Sequence, residues 1–251
     1  MIAAVTVLGN EPRAFAADGQ ELVVFEAASL KEAFARLADR FEKDRPGVKV
    51  MANAAGSQEL RTQIEHGAKA DVFASADHKH MGKLRDAGLV LPPAVFACNE
   101  LVLVVRPGSA VKTFSDLAKA ERVVVGAPEV PIGAYTTEIL KKAAKRYGAE
   151  FEKRVQEHIV SRELSVRQVL AKVTLGEADA GIVYRTDALA AKGKAIAIVI
   201  PSDLNVTAEY PIAALKAAPQ PALAKAWIDL VISAAGKKVL ADFGFSACPK
   251  N

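Results

Sequence analysis

The sequence predicts an α/β fold of two lobes, and three observations carry that expectation. Short β-rich runs alternate with amphipathic runs, the alternation starts afresh after residue 98, and a long apolar helical stretch follows a late strand. A chain of 251 residues, 51% hydrophobic and 25% charged, can bury one large core or two compact ones.

The first set opens with "ELVVF" and a helix beginning at Leu30. There Leu30, Phe34, Leu37 and Phe41 recur at three- and four-residue steps, leaving Lys31, Glu32, Arg36 and Lys43 for solvent, so one face should pack on a sheet. The strand "VKVMAN", a helix from Gln58, the strand "DVFAS" and a helix ending near Gly88 complete this set. A second set starts at "NELVLVVRPG" and runs through a helix near "FSDLAKA", the strand "RVVVGAP", a long helix to Gly148, a helix from Val166 and the strand "AGIVY". After "AIAIVIP" and "EYPIAALK", the stretch "ALAKAWIDLVISAAGKKVLADFGF" reads as one long helix returning to cover the first lobe. The expected division is residues 21–98 plus 206–251 for lobe I and residues 99–205 for lobe II, with crossings near Asn99 and Asn205. Each lobe should be a mixed sheet flanked by helices, with a ligand cleft between them where strands open into helices.

Residues 1–20 read as a residual leader, with an A-x-A cleavage pattern at residues 14–16 that points to export. No apolar run reaches the roughly 18 residues that cross a bilayer. A net charge of +4 is spread among interleaved acids without a basic, aromatic-rich stripe, which argues against nucleic acid as a partner. Trp227 sits in an apolar helical stretch and is expected to pack rather than stack on a ligand. Cys98 and Cys248 fit either a single disulfide or two separate thiols, and no zinc or redox spacing is present.

Chemistry concentrates at strand-to-helix junctions. Ser29 followed by Glu32, and Ser165 followed by Gln168, are capping-box patterns, and Asp77 reads as another N-cap. A cap alone accounts for such residues. The same geometry also suits an anion, because a helix start carries about half a positive charge and unpaired N–H groups. Ser29 and Ser57 follow small residues, Ala27-Ala28 and Ala55-Gly56, that let backbone approach a ligand. In "PEVPIGAY" the N–H of Ile132 or Gly133 could point into a cleft, in "ELSVRQVL" the N–H of Val166 could do so, and Tyr184 could add a phenol from the opposite wall.

With those residues assembled, the chain resembles the periplasmic molybdate-binding proteins of ABC transporters from Glu21 to Phe245. The segments "AASL", "GSQELRTQIEHGAKADVFASAD", "GAPEVPIGAY", "VRQVL" and "GIVYRTDA" carry the resemblance, in the family's order and spacing. It implies a type II periplasmic-binding-protein fold that closes by hinge bending, with no reaction catalysed and no cofactor. It also implies a tetrahedral oxyanion, molybdate or tungstate, held by Ser29, Ser57, Ile132, Val166 and Tyr184, the Ile132 and Val166 contributions being backbone N–H groups. A monomer in the periplasm delivering its ligand to a membrane permease completes the expectation. Ile132 departs from the smaller residue frequent in relatives, which bears on pocket shape more than on a backbone donor.

Three rivals are weighed beside it. Sulfate is also tetrahedral and fully ionised, so size alone would discriminate against it, whereas hydrogen phosphate carries a proton that a donor-only site leaves unpaired. A serine hydrolase would need a base beside Ser29 or Ser57, and neither lies in G-x-S-x-G. A metal site drawn from His66, His78 and His80 is disfavoured, since two histidines two apart on a helix face different directions and are expected to be exposed.

Overall fold

A computed structural model describes residues 19–249. The leader-like segment and its A-x-A pattern therefore lie outside the described residues, apart from Gly19 and Gln20. The chain runs β1 (Gln20–Ala27), a 3-10 turn (Ala28–Leu30), α1 (Lys31–Lys43), β2 (Val48–Ala55), α2 (Ser57–Glu65), β3 (Val72–Ala74), α3 (His78–Asp86) and β4 (Ala94–Val105). It continues through a 3-10 helix (Phe114–Lys119), β5 (Val123–Gly126), α4 (Pro131–Tyr147), α5 (Ala149–Glu157), β6 (Ile159–Glu163), α6 (Val166–Thr174), β7 (Ala180–Tyr184), α7 (Arg185–Ala190) and β8 (Ile196–Val199). The last elements are β9 (Thr207–Ala214), α8 (Pro221–Ile232) and α9 (Ala234–Asp242).

The strands form one mixed sheet in the order β2-β1-β3-β9-β4-β7-β5-β6, with β8 also paired to β4. β1 pairs in parallel with β2 and β3, as successive strands joined through helices must. The twelve-residue β4 links the two halves of the sheet. It pairs with β9 as far as Glu100 opposite Thr207, and with β7 from Leu101 opposite Tyr184 onward. The change of partner at Glu100 and Leu101 brings the end of β7, the middle of β9 and Asn99 close together.

Alternation along the strands covers both faces of the first half of the sheet. Leu22 and Val24 face Leu30 of the 3-10 turn and Phe34, Leu37 and Phe41 of α1, while Phe25 and Phe73 face Leu60, Ile64, Met81 and Leu84 of α2 and α3. Trp227 of α8 is fully buried as packing, with edge-on contacts to Phe34 and Phe41 at 5.5 Å between ring centroids.

Several elements differ from the sequence expectation. The apolar C-terminal stretch is two helices, because Ser233 adopts an extended conformation and its hydroxyl accepts from the Gly236 N–H at 3.0 Å, starting α9 afresh. "FSDLAK" forms only a short 3-10 helix, closed by a Thr113/Asp116 capping box. The helix α5 and the edge strand β6 went unread, since β6 is half exposed and has no apolar face to betray it. Cys98 and Cys248 form a disulfide with 5.0 Å between their Cα atoms, which resolves the two alternatives the sequence allowed. Among the described residues no helix is long and apolar enough to cross a membrane.

Candidate functional site

Ser29, Ser57, Ile132, Val166 and Tyr184 line one cavity with about 220 Å³ of empty space, including its mouth. They arrive from four helix starts and one strand end: the turn after β1, the first residue of α2, the second of α4, the first of α6 and the last of β7. None of the residues lining the cavity carries a charge.

Helix starts leave their first N–H groups unpaired within the helix, and none of the N–H groups of Ser57, Ile132 and Val166 finds a backbone acceptor among the described residues. Two glycines permit the close approach of these segments. A Cβ on Gly133 would lie 2.0 Å from the Ala127 carbonyl oxygen, and one on Gly56 would lie 2.4 Å from that of Leu164. The helix starts therefore converge only because those two positions lack side chains.

Ser29 does not cap a helix as its sequence pattern suggested. It makes no helix-capping bond, and Glu32, its expected capping-box partner, instead pairs with Arg167. The reason is the 3-10 turn at Ala28–Leu30, which carries Ser29 inside the turn rather than ahead of the helix. Ser57 is likewise the first helical residue, with Gly56 as the cap. Both hydroxyls are buried and engaged from behind: Ser57 Oγ accepts from the Ala76 N–H at 3.0 Å, and Ser29 Oγ lies 2.9 Å from the Tyr210 hydroxyl. Ser165 and Asp77 cap α6 and α3 as expected.

Tyr184 is 1% exposed and its hydroxyl has no partner among the described residues. Burial holds the phenols of Tyr184 and Tyr210 well above their usual range, so both keep their protons and can donate. A buried, unpartnered donor that lines a cavity is an unmet hydrogen bond, worth about 1–3 kcal/mol to a group that satisfies it.

Side chains bridge the rim of the cavity. Gln58 Nε2 donates to the Leu164 carbonyl at 2.7 Å, Tyr135 Oη to that of Ala76 at 3.2 Å and His80 Nε2 to that of Glu129 at 2.8 Å. Arg167, next to Val166, joins Glu32 of α1 and lies 2.8 Å from Asp187 of α7. Asp187 is wholly buried, and desolvation pushes its carboxyl up to about 7 against the pull of Arg167. His80 is 2% exposed rather than at the surface as expected, and burial lowers its pKa, so it bridges as a neutral donor. Only His78 of that pair is exposed; it bonds Glu209 at 2.6 Å, and no metal-binding cluster of His, Cys, Asp or Glu occurs among the described residues.

Neither serine has a base beside it, since Ser29 meets a phenol and Ser57 a peptide N–H. That arrangement lacks the activation a nucleophile requires. What the cavity offers is a set of neutral donors without an acceptor partner, which suits a compact, fully ionised anion. Tyr210 and Asn99 were missed from sequence because Tyr210 reaches the site only through Ser29 and Asn99 only through Tyr210, and nothing in linear spacing relates Ser29 to a residue 181 positions away; Ala76, which lines the cavity and donates to Ser57, has no side-chain chemistry to mark it.

Comparison with known proteins adds a family. A model of the bacterial extracellular solute-binding proteins matches residues 22–246. The molybdate-binding protein ModA of Mycobacterium tuberculosis is 41% identical over 231 residues, which are 90% of this chain and 85% of that protein. The periplasmic molybdate-binding protein of Azotobacter vinelandii superposes with a TM-score of 0.79 at 24% identity, covering 91% of this chain and all of that one. The sulfate-binding protein SubI of Mycobacterium tuberculosis superposes with a TM-score of 0.81 at 18% identity, covering 90% of this chain and 86% of that one. At such identities the superpositions speak to the fold, and that fold serves more than one anion.

Proposed function

Because this chain belongs to the bacterial extracellular solute-binding proteins, and among them to the periplasmic molybdate-binding family, we propose that it captures molybdate, and also tungstate, between Ser29, Ser57, Ile132, Val166 and Tyr184. One observation carries the reading: the five donors come from separate elements into one uncharged cavity, and the Tyr184 hydroxyl there has nothing to bond. Hydroxyls of Ser29, Ser57 and Tyr184 and the N–H groups of Ile132 and Val166 replace the hydration shell of a dianion. Its charge is balanced by helix-start dipoles, with no lysine or arginine at the anion.

Residues 21–98 with 206–251 act as lobe I and residues 99–205 as lobe II, hinged where β4 changes partner from β9 to β7. The Arg167–Glu32 pair and the bonds from Gln58, Tyr135 and His80 span the cleft and belong to the closed form. An anion that touches both lobes makes more contacts in that form than in an open one, and this difference in affinity drives closure. The closed monomer then presents itself to an ABC transporter permease in the periplasm. The Cys98–Cys248 disulfide accords with that oxidising compartment.

Titration calorimetry of the anion-stripped protein against molybdate, tungstate, sulfate and phosphate in one buffer tests the reading. Tight one-to-one binding of the first two, with the others weak, is expected. Silence from all four, or a preference for sulfate, would overturn it.

A further inference from the structure

Resting on that reading of the cavity, we propose that Tyr210 and Asn99 are positioning residues that force the Ser29 hydroxyl to donate to the ligand, and so set the preference for a fully ionised oxyanion.

The hydrogen-bond inventory carries this. Tyr210 is 0% exposed, and one acceptor lies at normal distance from its proton, Ser29 Oγ at 2.9 Å. The Asn99 amide nitrogen lies 3.5 Å away, at the outer limit of a hydrogen bond, and donates to Thr186 Oγ1 at 2.9 Å, while Asn99 Oδ1 is buried without a partner among the described residues. A buried phenol proton without an acceptor is unfavourable, so Tyr210 donates to Ser29. With one of its two lone pairs occupied from behind, the Ser29 hydroxyl does not spend its proton on Tyr210 and keeps it for the ligand. The order Asn99 to Tyr210 to Ser29 runs in one direction, and each donation polarises the next.

Ser57 is set in the same sense by a different device, the Ala76 N–H at 3.0 Å. A peptide N–H can only donate, so Ser57 too turns its proton to the ligand. The two serines thus face the anion as donors. Hydrogen phosphate or hydrogen arsenate brings a proton of its own, and a serine hydroxyl that turns its remaining lone pair to accept it gives up its own donation to the anion. Molybdate brings none.

The ring of Tyr210 packs edge-on against Phe96, Tyr184 and Phe245, and Tyr210→Phe keeps that packing while deleting the donor. Affinity for molybdate and for hydrogen phosphate is measured by calorimetry in wild type, Tyr210→Phe, Ser29→Ala and the double variant. We expect Tyr210→Phe to weaken molybdate about tenfold, to narrow the preference over hydrogen phosphate, and to have no further effect in the Ser29→Ala background. Equal weakening in both backgrounds would mean that Tyr210 acts by packing, and unchanged affinity of Tyr210→Phe relative to wild type would mean that it does nothing; both overturn the proposal. A fluorinated tyrosine at position 210, a stronger donor of nearly the same shape, should tighten molybdate, and looser binding would reverse the assigned direction. Failure of the wild type to bind any oxyanion would instead defeat the reading of the cavity itself.

Discussion

Glu26, at the end of β1, offers a test of the fold that is independent of any ligand. The side chain is 1% exposed, Oε2 has no hydrogen-bond partner, and burial, reinforced by Glu32 and opposed by Lys31, pushes its pKa from 4.5 to about 8. Between those two values the folded chain holds a proton that the unfolded chain has released. Stability therefore falls as pH rises, by about 1.4 kcal/mol per unit from this one group, and the contribution is complete below about 4.5 and gone above about 8. Glu26→Gln keeps the shape and removes the titration. Relative to wild type the variant should gain on the order of 3 kcal/mol between pH 4.5 and 7, whatever constant offset the amide introduces. Urea unfolding of both proteins at pH 5, 6, 7 and 8, with the two stabilities subtracted, isolates the effect. The subtraction also removes Asp187, whose pKa near 7 adds a slope of the same sign in both proteins. A difference that stays flat across that range would show that Glu26 is ionised in the folded chain, and the account of its burial would be wrong.

Tyr184→Phe and Ser57→Ala should separate binding from stability. The first deletes an unpartnered hydroxyl and leaves apo stability unchanged or slightly raised, whereas the second orphans the buried Ala76 N–H and lowers stability by about 1–3 kcal/mol. Both should weaken molybdate in calorimetry, and a Tyr184→Phe protein that binds as wild type would remove that residue from the site. Replacing Cys98 and Cys248 by serine opens a loop with a sequence separation of 150 residues and should lower stability by about 2–5 kcal/mol in urea, with molybdate affinity retained. Arg167→Ala strips the partner from Asp187 and Glu32; the loss, about 3–5 kcal/mol, should be greater at pH 8 than at pH 5, because Asp187 is protonated below about 7. An equal loss at both values would mean that Asp187 does not titrate in this range.

Elements with one strongly apolar face were legible without coordinates. The helix carrying Phe34, Leu37 and Phe41 and the strands "ELVVF" and "AGIVY" declare themselves by a period that burial on one or both faces imposes. The half-exposed β6 declares nothing, and Ser233 breaks the last helix with a local hydrogen bond that composition does not distinguish from an exposed serine. The positions of Ser29 and Ser57 at strand-to-helix junctions were readable for the same local reason. The role of Ser29 as a cap was misread, because the 3-10 turn Ala28–Leu30 takes its hydroxyl out of the N-cap position, and the helix expected from Gln58 begins one residue earlier, with Gly56 as its cap.

By itself, then, the sequence determined the alternation of strands and helices, the helix starts where N–H groups stand unpaired, and the small residues that let them come close, since each depends on neighbours only a few positions away. Only the tertiary structure decided which helix starts share a cavity, that Tyr210 and Ala76 stand behind the two serines, that Arg167 reaches Glu32 and Asp187, and that Cys98 meets Cys248. Those contacts join residues far apart in the chain, and they are set by the strand order and by the change of partner along β4, which no local pattern encodes.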